Sequence, residues 1–285
     1  MLSKSTLYVV ATPIGNLNDI SLRALDILAK VDVVAAEHTQ ASRHLFAVHA
    51  ISTKLISLHQ HNEAIVSNKI LALLNSGKNV ALVTDAGTPG ISDPGAILVQ
   101  HVRAQGYSII PIPGANAAVC ALSASGITNP HFLFYGFLPA KTGLRKRALI
   151  ELKPQLCTLI FYEAPHRILE CIIDMLEVFG PQRELIVARE LTKLFETIHR
   201  GTLHEIYSWL QKDTDQQKGE FVLLLSGAGT TDKSEISEQA ERTLKCLLTE
   251  LTLKQAVKLA TEITGENKNS LYQLALKLKN ARYPV

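Results

Sequence analysis

The sequence predicts an α/β fold in which helices alternate with the strands of a mostly parallel sheet. In the first half of the 285-residue chain, short apolar runs are each followed by a polar turn and then by a segment of helical periodicity. Hydrophobic residues make up 47% of the chain and charged residues 19%, so a sizeable core is available and extensive disorder is excluded. The length favours two domains, or one large domain with an appendage.

The first half contains five predicted strands, each followed by a turn. The strands are expected at residues 7–11, 32–36, 54–58, 80–83 and 108–111. The first helix is expected to be capped by Asp19 or Ser21, and the second to carry Leu45, Phe46 and Val48. Three further helices are expected at residues 65–74, 96–102 and 117–123. This regular alternation predicts a parallel sheet covered by helices on both faces.

The second half has fewer helices between its strands, which favours a mixed sheet. Strands are expected at residues 132–136, 158–162, 184–188, 195–200 and 221–225, with helices at 168–179 and 203–210. From residue 236 onward the pattern is helical only, and Gly265 lies between two helices in a helix-turn-helix outline. The predicted domains are therefore 1–126 and 127–226, both α/β, and a small helical tail at 236–285 after a linker.

Composition narrows the class of protein and its location. The four cysteines stand far apart without a CxxC pair, which favours buried, reduced thiols over disulfides or zinc. No metal site is predicted, because His59 and His61 have no third ligand nearby in the sequence. No apolar run is long enough for a membrane span and no signal peptide is evident, so we expect a cytoplasmic protein without a membrane partner. The net charge of +3 is weak evidence for an anionic partner.

The segment 84–95 is the loop around which the chain is organised. It follows the apolar run 80–83 and precedes a helix, so it lies at the carboxyl end of a strand, where open α/β sheets bind ligands. Its three glycines permit close approach of another molecule, and its two prolines stiffen it. The turns at 12–16, 37–39 and 113–116 also follow strands, so all four should border one cleft.

This cleft lacks the usual devices for binding pyrophosphate. The sequence has no Gly-Lys-Ser/Thr loop, and the glycine spacing in 84–95 does not match GxGxxG. The cleft therefore suits a neutral or cationic ligand held by backbone groups and carboxylates. Asp85 and Asp93 could contact that ligand or simply shape the loop as Asx turns. The segment 141–147, a basic loop or helix start, could contact phosphates or form a solvated face.

Five stretches, at 12–16, 85–95, 111–114, 161–167 and 188–193, strongly resemble the small-subunit ribosomal RNA cytidine 2′-O-methyltransferases. These belong to the tetrapyrrole-methylase-like class of S-adenosylmethionine enzymes, and the resemblance covers nearly the whole chain. It implies two α/β domains of the tetrapyrrole-methylase type, with S-adenosyl-L-methionine in the cleft between them. The implied partner is 16S ribosomal RNA or the small ribosomal subunit, and the expected assembly is a homodimer.

The resemblance also supplies candidate residues for each role. Those expected to bind the cofactor are Pro13, Gly87, Thr88, Pro89, Ile91, Ser92, Gly114, Ala115, Tyr162 and Ala188. Those expected to contact RNA are Lys141, Arg145, Lys146, Arg147, His166, Arg167 and Arg189. A weak ribose nucleophile needs a base or an oxyanion-stabilising cation, for which the candidates are Glu37, Asp85, Glu190 and Lys193. For His166 and Arg167, the alternative interpretation is a structural role at a helix start. For Arg189, Glu190 and Lys193, it is a structural salt-bridged trio.

One short stretch departs from the family. The family usually has Ala-Glu-Asp-Thr-Arg where this chain has Ala36 to Gln40, so His38 and Gln40 replace a carboxylate and a guanidinium.

Two other functions fit the sequence pattern. A tetrapyrrole C-methyltransferase would have the same fold and a polycarboxylate substrate, and a non-catalytic RNA-binding assembly factor would bind RNA without cofactor affinity.

Overall fold

Ten strands and eleven α-helices form the part of the chain that the computed structural model describes, residues 5–228 and 238–282. The strands are β1 (Thr6–Val10), β2 (Val33–Ala36), β3 (Lys54–Ser57), β4 (Val80–Val83), β5 (Ser108–Ile112), β6 (Phe132–Phe137), β7 (Thr158–Glu163), β8 (Glu184–Arg189), β9 (Thr197–Thr202) and β10 (Phe221–Leu225). The helices are α1 (Leu22–Lys30), α2 (Thr39–Val48), α3 (Glu63–Asn75), α4 (Ala96–Ala104), α5 (Ala117–Ala124), α6 (Thr142–Leu152), α7 (Ile168–Phe179), α8 (Leu203–Lys212), α9 (Glu238–Glu250), α10 (Leu253–Thr264) and α11 (Lys268–Arg282).

The first sheet is entirely parallel and has the strand order β3-β2-β4-β1-β5. Because side chains alternate along a strand, its apolar residues form a core on each face. Tyr8 and Val10 pack with α1 and α2, whereas Leu7 and Leu82 pack with α3 and α4. This confirms the predicted parallel sheet with helices on both faces.

The second sheet is mixed, with the order β6-β7-β10-β8-β9. The β6–β7 pair is parallel, whereas β10 runs antiparallel to both of its neighbours and β9 runs antiparallel to β8. One face packs against α6, α7 and α8, and the other against α5. The prediction of a mixed sheet is confirmed. Helix α5, which the predicted division at residue 126 assigns to the first domain, packs on the second sheet.

Strand β9 begins two residues later than predicted. The segment after β8 forms a turn closed by the Lys193 amide, which donates to the Glu190 carbonyl at 3.0 Å, and by the Glu196 amide, which donates to the Lys193 carbonyl at 3.1 Å. Phe195 lies in this turn and is 65% exposed. Its apolar character made it look like the first residue of a strand.

The described residues fall into two compact units, divided after Gly227. The C-terminal unit contains α9, α10 and α11, which pack around small and aliphatic side chains that include Leu244, Val257 and Leu271. Helix α10 begins at a capping box of Thr252 and Gln255 and ends at Gly265, whose φ of 70° is left-handed. The helix-turn-helix outline is thereby confirmed. Most of the predicted linker, residues 229–235, lies outside the described residues.

Among the described residues, none of the helices combines the length and the apolarity that crossing a bilayer requires.

Candidate active site

Turns from three strands of the parallel sheet are joined by hydrogen bonds at its carboxyl edge. Thr12, after β1, and Gly87, after β4, exchange two backbone hydrogen bonds of 2.9 and 3.0 Å. The Thr88 hydroxyl donates to the carbonyl of Ala115, after β5, at 3.1 Å. These contacts confirm that the turns border one site, as parallel strand ends require.

The turn after β2 joins the same edge through His38. Its backbone N–H donates to Asp85 Oδ1 at 3.1 Å, and its ring Nδ1 lies 2.6 Å from Asp85 Oδ2. Glu37 precedes it and is half-buried. Two of the four predicted catalytic residues, Glu37 and Asp85, therefore lie close together.

A buried carboxylate fixes the far end of the 84–95 loop. Glu63 Oε1 accepts hydrogen bonds from the backbone N–H groups of Gly95 at 3.0 Å and Leu98 at 2.9 Å. These are amides at the start of α4, where a helix has no internal partners for its N–H groups. Sequence reasoning missed Glu63, because only the tertiary structure brings α3 to this loop.

A cavity of about 340 Å³ opens between the edges of the two sheets. Such a volume suits a small-molecule ligand. The residues that line it are Ile14, Ala86, Gly87, Thr88, Ile91, Ser92, Asp93, Asn116, Ala117, Phe137, Tyr162, Glu163, Ala164, Pro165, Ala188, Leu191, Glu220, Phe221 and Val222. The lining is mainly apolar, includes three carboxylates and contains neither lysine nor arginine. This composition favours a neutral or cationic ligand.

Six of the ten predicted cofactor residues line the cavity, namely Gly87, Thr88, Ile91, Ser92, Tyr162 and Ala188. Pro13, Pro89, Gly114 and Ala115 belong to the same turns but are not among the lining residues. Tyr162 is held by its hydroxyl, which accepts a hydrogen bond from the Ala118 amide at 3.2 Å. Burial raises the pKa of that hydroxyl, so Tyr162 stays neutral.

Asp93 is the most strongly perturbed carboxyl group in the lining. Burial, followed by the charge of Glu37, raises its pKa to about 6, and Asp85 adds to this effect. Strongly shifted groups in a cavity are common at functional sites. Sequence reasoning weighed Asp93 as a ligand contact or an Asx turn, and it could not foresee this burial.

Glu190 and Lys193 form an ionic cluster with Glu220, which lines the cavity. The Lys193 ammonium donates to Glu190 Oε1 at 2.9 Å and to Glu220 Oε2 at 2.7 Å. Burial opposes ionisation of Glu190, but the hydrogen bonds from Lys193 and the Glu220 amide outweigh it and lower the pKa of Glu190. Lys193 also lies against the first turn, since a Cβ at Gly15 would be 2.6 Å from Lys193 Cγ.

The structure contradicts the predicted RNA contacts of two arginines. The Arg145 side chain is fully buried, and its Nε donates to Asp174 at 2.6 Å. Arg189 is 7% exposed, and its guanidinium donates to carbonyl groups of the chain, including that of Lys218 at 2.7 Å. Both cations are held inside the fold and are not available to a phosphate. Arg189 also does not join the ionic cluster, so the predicted trio of Arg189, Glu190 and Lys193 does not form. The cluster consists of Glu190, Lys193 and Glu220.

Other predicted RNA contacts differ in how accessible they are. Lys146 pairs with Glu177 at 2.5 Å, and Arg167 pairs with Glu163 at 3.2 Å and donates to the Leu138 carbonyl at 2.6 Å. Lys141, Arg147 and His166 are exposed and make no ion pair among the described residues. Within the 141–147 segment, the exposed positive charge therefore comes from Lys141, directly before α6, and from Arg147, in its second turn.

Several lining residues were not predicted. Asn116 belongs to the predicted 113–116 turn and Ala117 follows it, while Glu163 ends β7 and Ala164 and Pro165 come directly after, so the rule that located the 84–95 loop also applies to them. Phe221 and Val222 are different, because they lie at the start of β10. Phe221 pairs with Glu163 in antiparallel register, which brings the beginning of β10 to the edge where β7 ends. The chain order alone gives no sign of that reversal.

The parallel and mixed sheets form an α/β fold, and the cavity at their edges, which no lysine or arginine lines, is suited to a small neutral or cationic ligand. The chain belongs to the family of Tetrapyrrole (Corrin/Porphyrin) Methylases, which matches residues 6–207. Residues 234–279 match a second family, described as the RsmI C-terminal HTH domain.

Three relatives that match nearly the whole chain share one name. The chain is 49% identical over 277 residues to the Ribosomal RNA small subunit methyltransferase I of Pseudomonas aeruginosa, covering 97% of this chain and 98% of the relative. It is 48% identical to the protein of that name from Vibrio cholerae, over 95% of this chain and 94% of the relative. For Escherichia coli O157:H7 the identity is 45%, over 96% of both chains.

Solved structures support the fold independently. The chain resembles the methyltransferase CobJ with a TM-score of 0.58 and 18% identity, over 78% of this chain and 94% of that one. A diphthine synthase gives a TM-score of 0.58 at 12% identity, over 78% and 90%. At such low identity these similarities establish the fold alone.

Proposed function

We propose that this protein is an S-adenosylmethionine-dependent methyltransferase that methylates the ribose 2′-hydroxyl of a cytidine in the decoding region of 16S ribosomal RNA. The observation that carries the proposal is the 45–49% identity to ribosomal RNA small subunit methyltransferases over 95–97% of the chain, a span that includes the C-terminal helices. The solved tetrapyrrole methyltransferases that share this fold are only 13–21% identical to the chain.

The cavity fits S-adenosylmethionine in size and in chemistry. Gly87, Thr88, Ile91 and Ser92 would hold the cofactor from the 84–95 loop, and Tyr162 would hold it from the mixed sheet. Among the lining carboxylates, Glu163 pairs with Arg167 and Glu220 with Lys193, whereas Asp93 has no ion-pair partner among the described residues and suits a ligand that carries positive charge. When bound, the cofactor supplies an electrophilic methyl group, and the chain has to place a ribose oxygen next to it.

The four candidate catalytic residues suit different tasks. Burial opposes protonation of Lys193, but hydrogen bonds from its ammonium to Glu220 and Glu190 outweigh this and raise its pKa. Lys193 is therefore a cation that can stabilise developing negative charge, and it is not a base. Glu190, with its lowered pKa and its bond to Lys193, serves to hold that cation. Asp85 is engaged with His38, and Glu37 remains a candidate base.

We expect RNA to contact two surfaces of the protein. Lys141, Arg147 and His166 provide exposed charge and hydrogen-bond donors in the N-terminal unit. In the C-terminal unit, Lys254, Lys268, Lys277 and Lys279 are exposed and make no ion pair among the described residues. A helix-turn-helix with this charge is suited to phosphate contacts. Such a substrate would place the activity in the cytoplasm.

A homodimer is proposed as the working assembly. Leu194 is 89% exposed and Phe195 65% exposed, both in the turn before β9, and Ile198 continues this patch on the strand. Adjacent exposed apolar side chains often mark an interface. Light scattering coupled to gel filtration tests this: the wild type should have twice the mass of its chain, and Phe195→Glu should shift it toward the monomer.

The test of the function is methylation mapping. Purified protein, S-adenosylmethionine and either naked 16S RNA or small subunits should yield one 2′-O-methylcytidine in the decoding region. Cofactor binding without RNA methylation, together with methylation of a tetrapyrrole polycarboxylate, would establish the alternative enzyme. RNA binding without any affinity for the cofactor in calorimetry would instead identify an assembly factor.

A further inference from the structure

His38 and Asp85 form a hydrogen-bonded pair with a fixed orientation. The His38 Nδ1 atom is 2.6 Å from Asp85 Oδ2, and the His38 backbone N–H donates to Asp85 Oδ1 at 3.1 Å. One carboxylate therefore holds both the backbone and the ring of His38. The other ring nitrogen, Nε2, makes no hydrogen bond among the described residues, and the side chain is 68% exposed. An imidazole held at Nδ1 by a carboxylate presents Nε2 as a proton acceptor.

This pair lies at the rim of the cavity. Asp85 directly precedes Ala86 and Gly87, and both of these line it. Asp93, another lining residue, is close enough to Glu37 and Asp85 for their charges to raise its pKa. The exposed His38 ring is therefore held by a residue that adjoins the cavity lining in the chain, and its Nε2 atom is open to a substrate.

The surroundings make His38 a stronger base than a free histidine. Its hydrogen bond to Asp85, followed by the charge of that carboxylate, raises the pKa of His38 above 6.5, and Glu37 adds to this while slight burial opposes it. The N-terminal end of α2, which begins at the next residue, also opposes protonation. Neither Asp85 nor Glu37 has a lysine or arginine ion-pair partner among the described residues.

We infer that His38 is the general base that accepts the proton of the ribose 2′-hydroxyl, with Asp85 as the residue that positions its imidazole. This inference rests on the proposed function. In the reaction, the hydroxyl proton passes to Nε2 as the ribose oxygen bonds to the methyl carbon. The methyl–sulfur bond breaks, its electron pair stays on sulfur as a neutral thioether, and the positive charge moves to the imidazolium. The proton then leaves to solvent through the exposed ring.

The first measurement concerns the pair itself and needs neither cofactor nor RNA. NMR titration of the histidine rings, with His38 assigned from His38→Gln, should give a His38 pKa above 6.5 in the wild type. Asp85→Asn should lower that pKa, and Glu37→Gln should lower it less. An unchanged His38 pKa in Asp85→Asn would remove Asp85 as the positioning residue and overturn the inference.

The second measurement is single-turnover methylation at saturating cofactor and RNA. General base catalysis contributes roughly 10²- to 10⁴-fold, so His38→Gln should lower the rate at least about 100-fold. Its cofactor affinity in calorimetry should stay unchanged. The wild-type rate should rise with pH through the His38 pKa, and in His38→Asp this rise should move to lower pH. His44→Gln, an exposed histidine on α2, is the matched control and should behave as the wild type.

The outcomes separate this inference from the proposed function. If the wild type methylates 16S RNA but His38→Gln retains its rate and pH profile, the general base is another group and the function stands. If the wild type methylates no RNA, the proposed function fails, and the inference fails with it even where the NMR titration shows a coupled pair.

Discussion

Gly136 on the mixed sheet and Ser92 in the 84–95 loop are in close contact. Gly136 lies at a bulge in β6 with a φ of 81°, and a Cβ there would be only 2.7 Å from the Ser92 hydroxyl oxygen. Ser92 lines the cavity and itself has a positive φ of 63°. The missing side chain of Gly136 thus lets the 84–95 loop dock against the mixed sheet.

Gly136→Ala should therefore weaken both stability and the site. The left-handed backbone costs about 1–2 kcal/mol with a side chain, and displacement of Ser92 should add to this and lower cofactor affinity. Chemical denaturation and calorimetry measure the two effects. Gly143→Ala is the matched control, because a Cβ at this position in α6 meets no atom within 4 Å. Equal cofactor affinity in both variants would mean that this contact does not shape the site.

A second prediction separates backbone strain from ligand contact at Gly87. Gly87 has a φ of 83° and lines the cavity, whereas Gly77 has a φ of 82° in a turn with no atom within 4 Å of an added Cβ. An alanine at either position should lower the free energy of unfolding by about 1–2 kcal/mol. Only Gly87→Ala should reduce the affinity for S-adenosylmethionine, measured by calorimetry. Parallel losses in both variants would contradict a cofactor role for this loop.

The third prediction follows from the pKa of Asp93, about 6 in the folded protein and 3.8 in an unperturbed chain. Because the folded pKa is the higher one, ionised Asp93 destabilises the fold, and this destabilisation develops as pH rises from about 4 to 6. Asp93→Asn should therefore raise the melting temperature at pH 7.5 but have little effect at pH 4.

Without a ligand, the fold favours the protonated form of Asp93, and bound cofactor should favour the ionised form. A cationic ligand favours the carboxylate, so the affinity of the wild type for S-adenosylmethionine should increase from pH 5 to pH 7.5. The dependence should be weaker in Asp93→Asn. A wild-type affinity that does not change with pH would show that Asp93 does not face the positive charge.

The fourth prediction concerns Lys141 and Arg147, the exposed cations of the 141–147 segment. Each phosphate contact steepens the fall of affinity with salt by about 0.7 in a log–log plot for single strands. Lys141→Ala combined with Arg147→Ala should therefore flatten the slope of RNA binding by about 1.4. Lys153→Ala, an exposed lysine at the other end of the helix, is the control. An unchanged slope in the double variant would identify the segment as a solvated face.

Helical periodicity could have excluded Arg145 from this cluster. Arg145, Leu149 and Leu152 are spaced four and seven residues apart, so they share one face of α6, and all three are buried. The sequence shows which face is apolar, but it does not reveal Asp174 on α7, the partner that allows a charge on that face. Composition alone therefore overestimated the free positive charge of the segment.

The fold was more predictable than the site because strands and helices follow local periodicity. Segment Ile168–Phe179 was predicted with the bounds that the structure has, since Gly180 and Pro181 end it clearly. The site depends on distant pairs instead. Lys193 meets Glu220, and Phe221 meets Glu163, only because β10 runs antiparallel between β7 and β8. Neither pair has a signal in the chain order.

The last prediction concerns the C-terminal unit. The cavity and its surrounding cores belong entirely to the N-terminal unit, so truncation after Gly227 should leave cofactor affinity unchanged while lowering the affinity for 16S RNA.

A second variant separates the charge of the helices from their mere presence. In the full chain, we would replace Lys254, Lys268, Lys277 and Lys279 by alanine. These side chains are exposed, so the helices should still form, and circular dichroism checks this. The salt slope should flatten by about 0.7 for each lysine that contacts a phosphate. If the truncated protein binds RNA as tightly as the full chain, RNA recognition lies in the N-terminal unit alone. If truncation weakens binding but the lysine variant does not, the helices contact RNA through groups other than these four lysines.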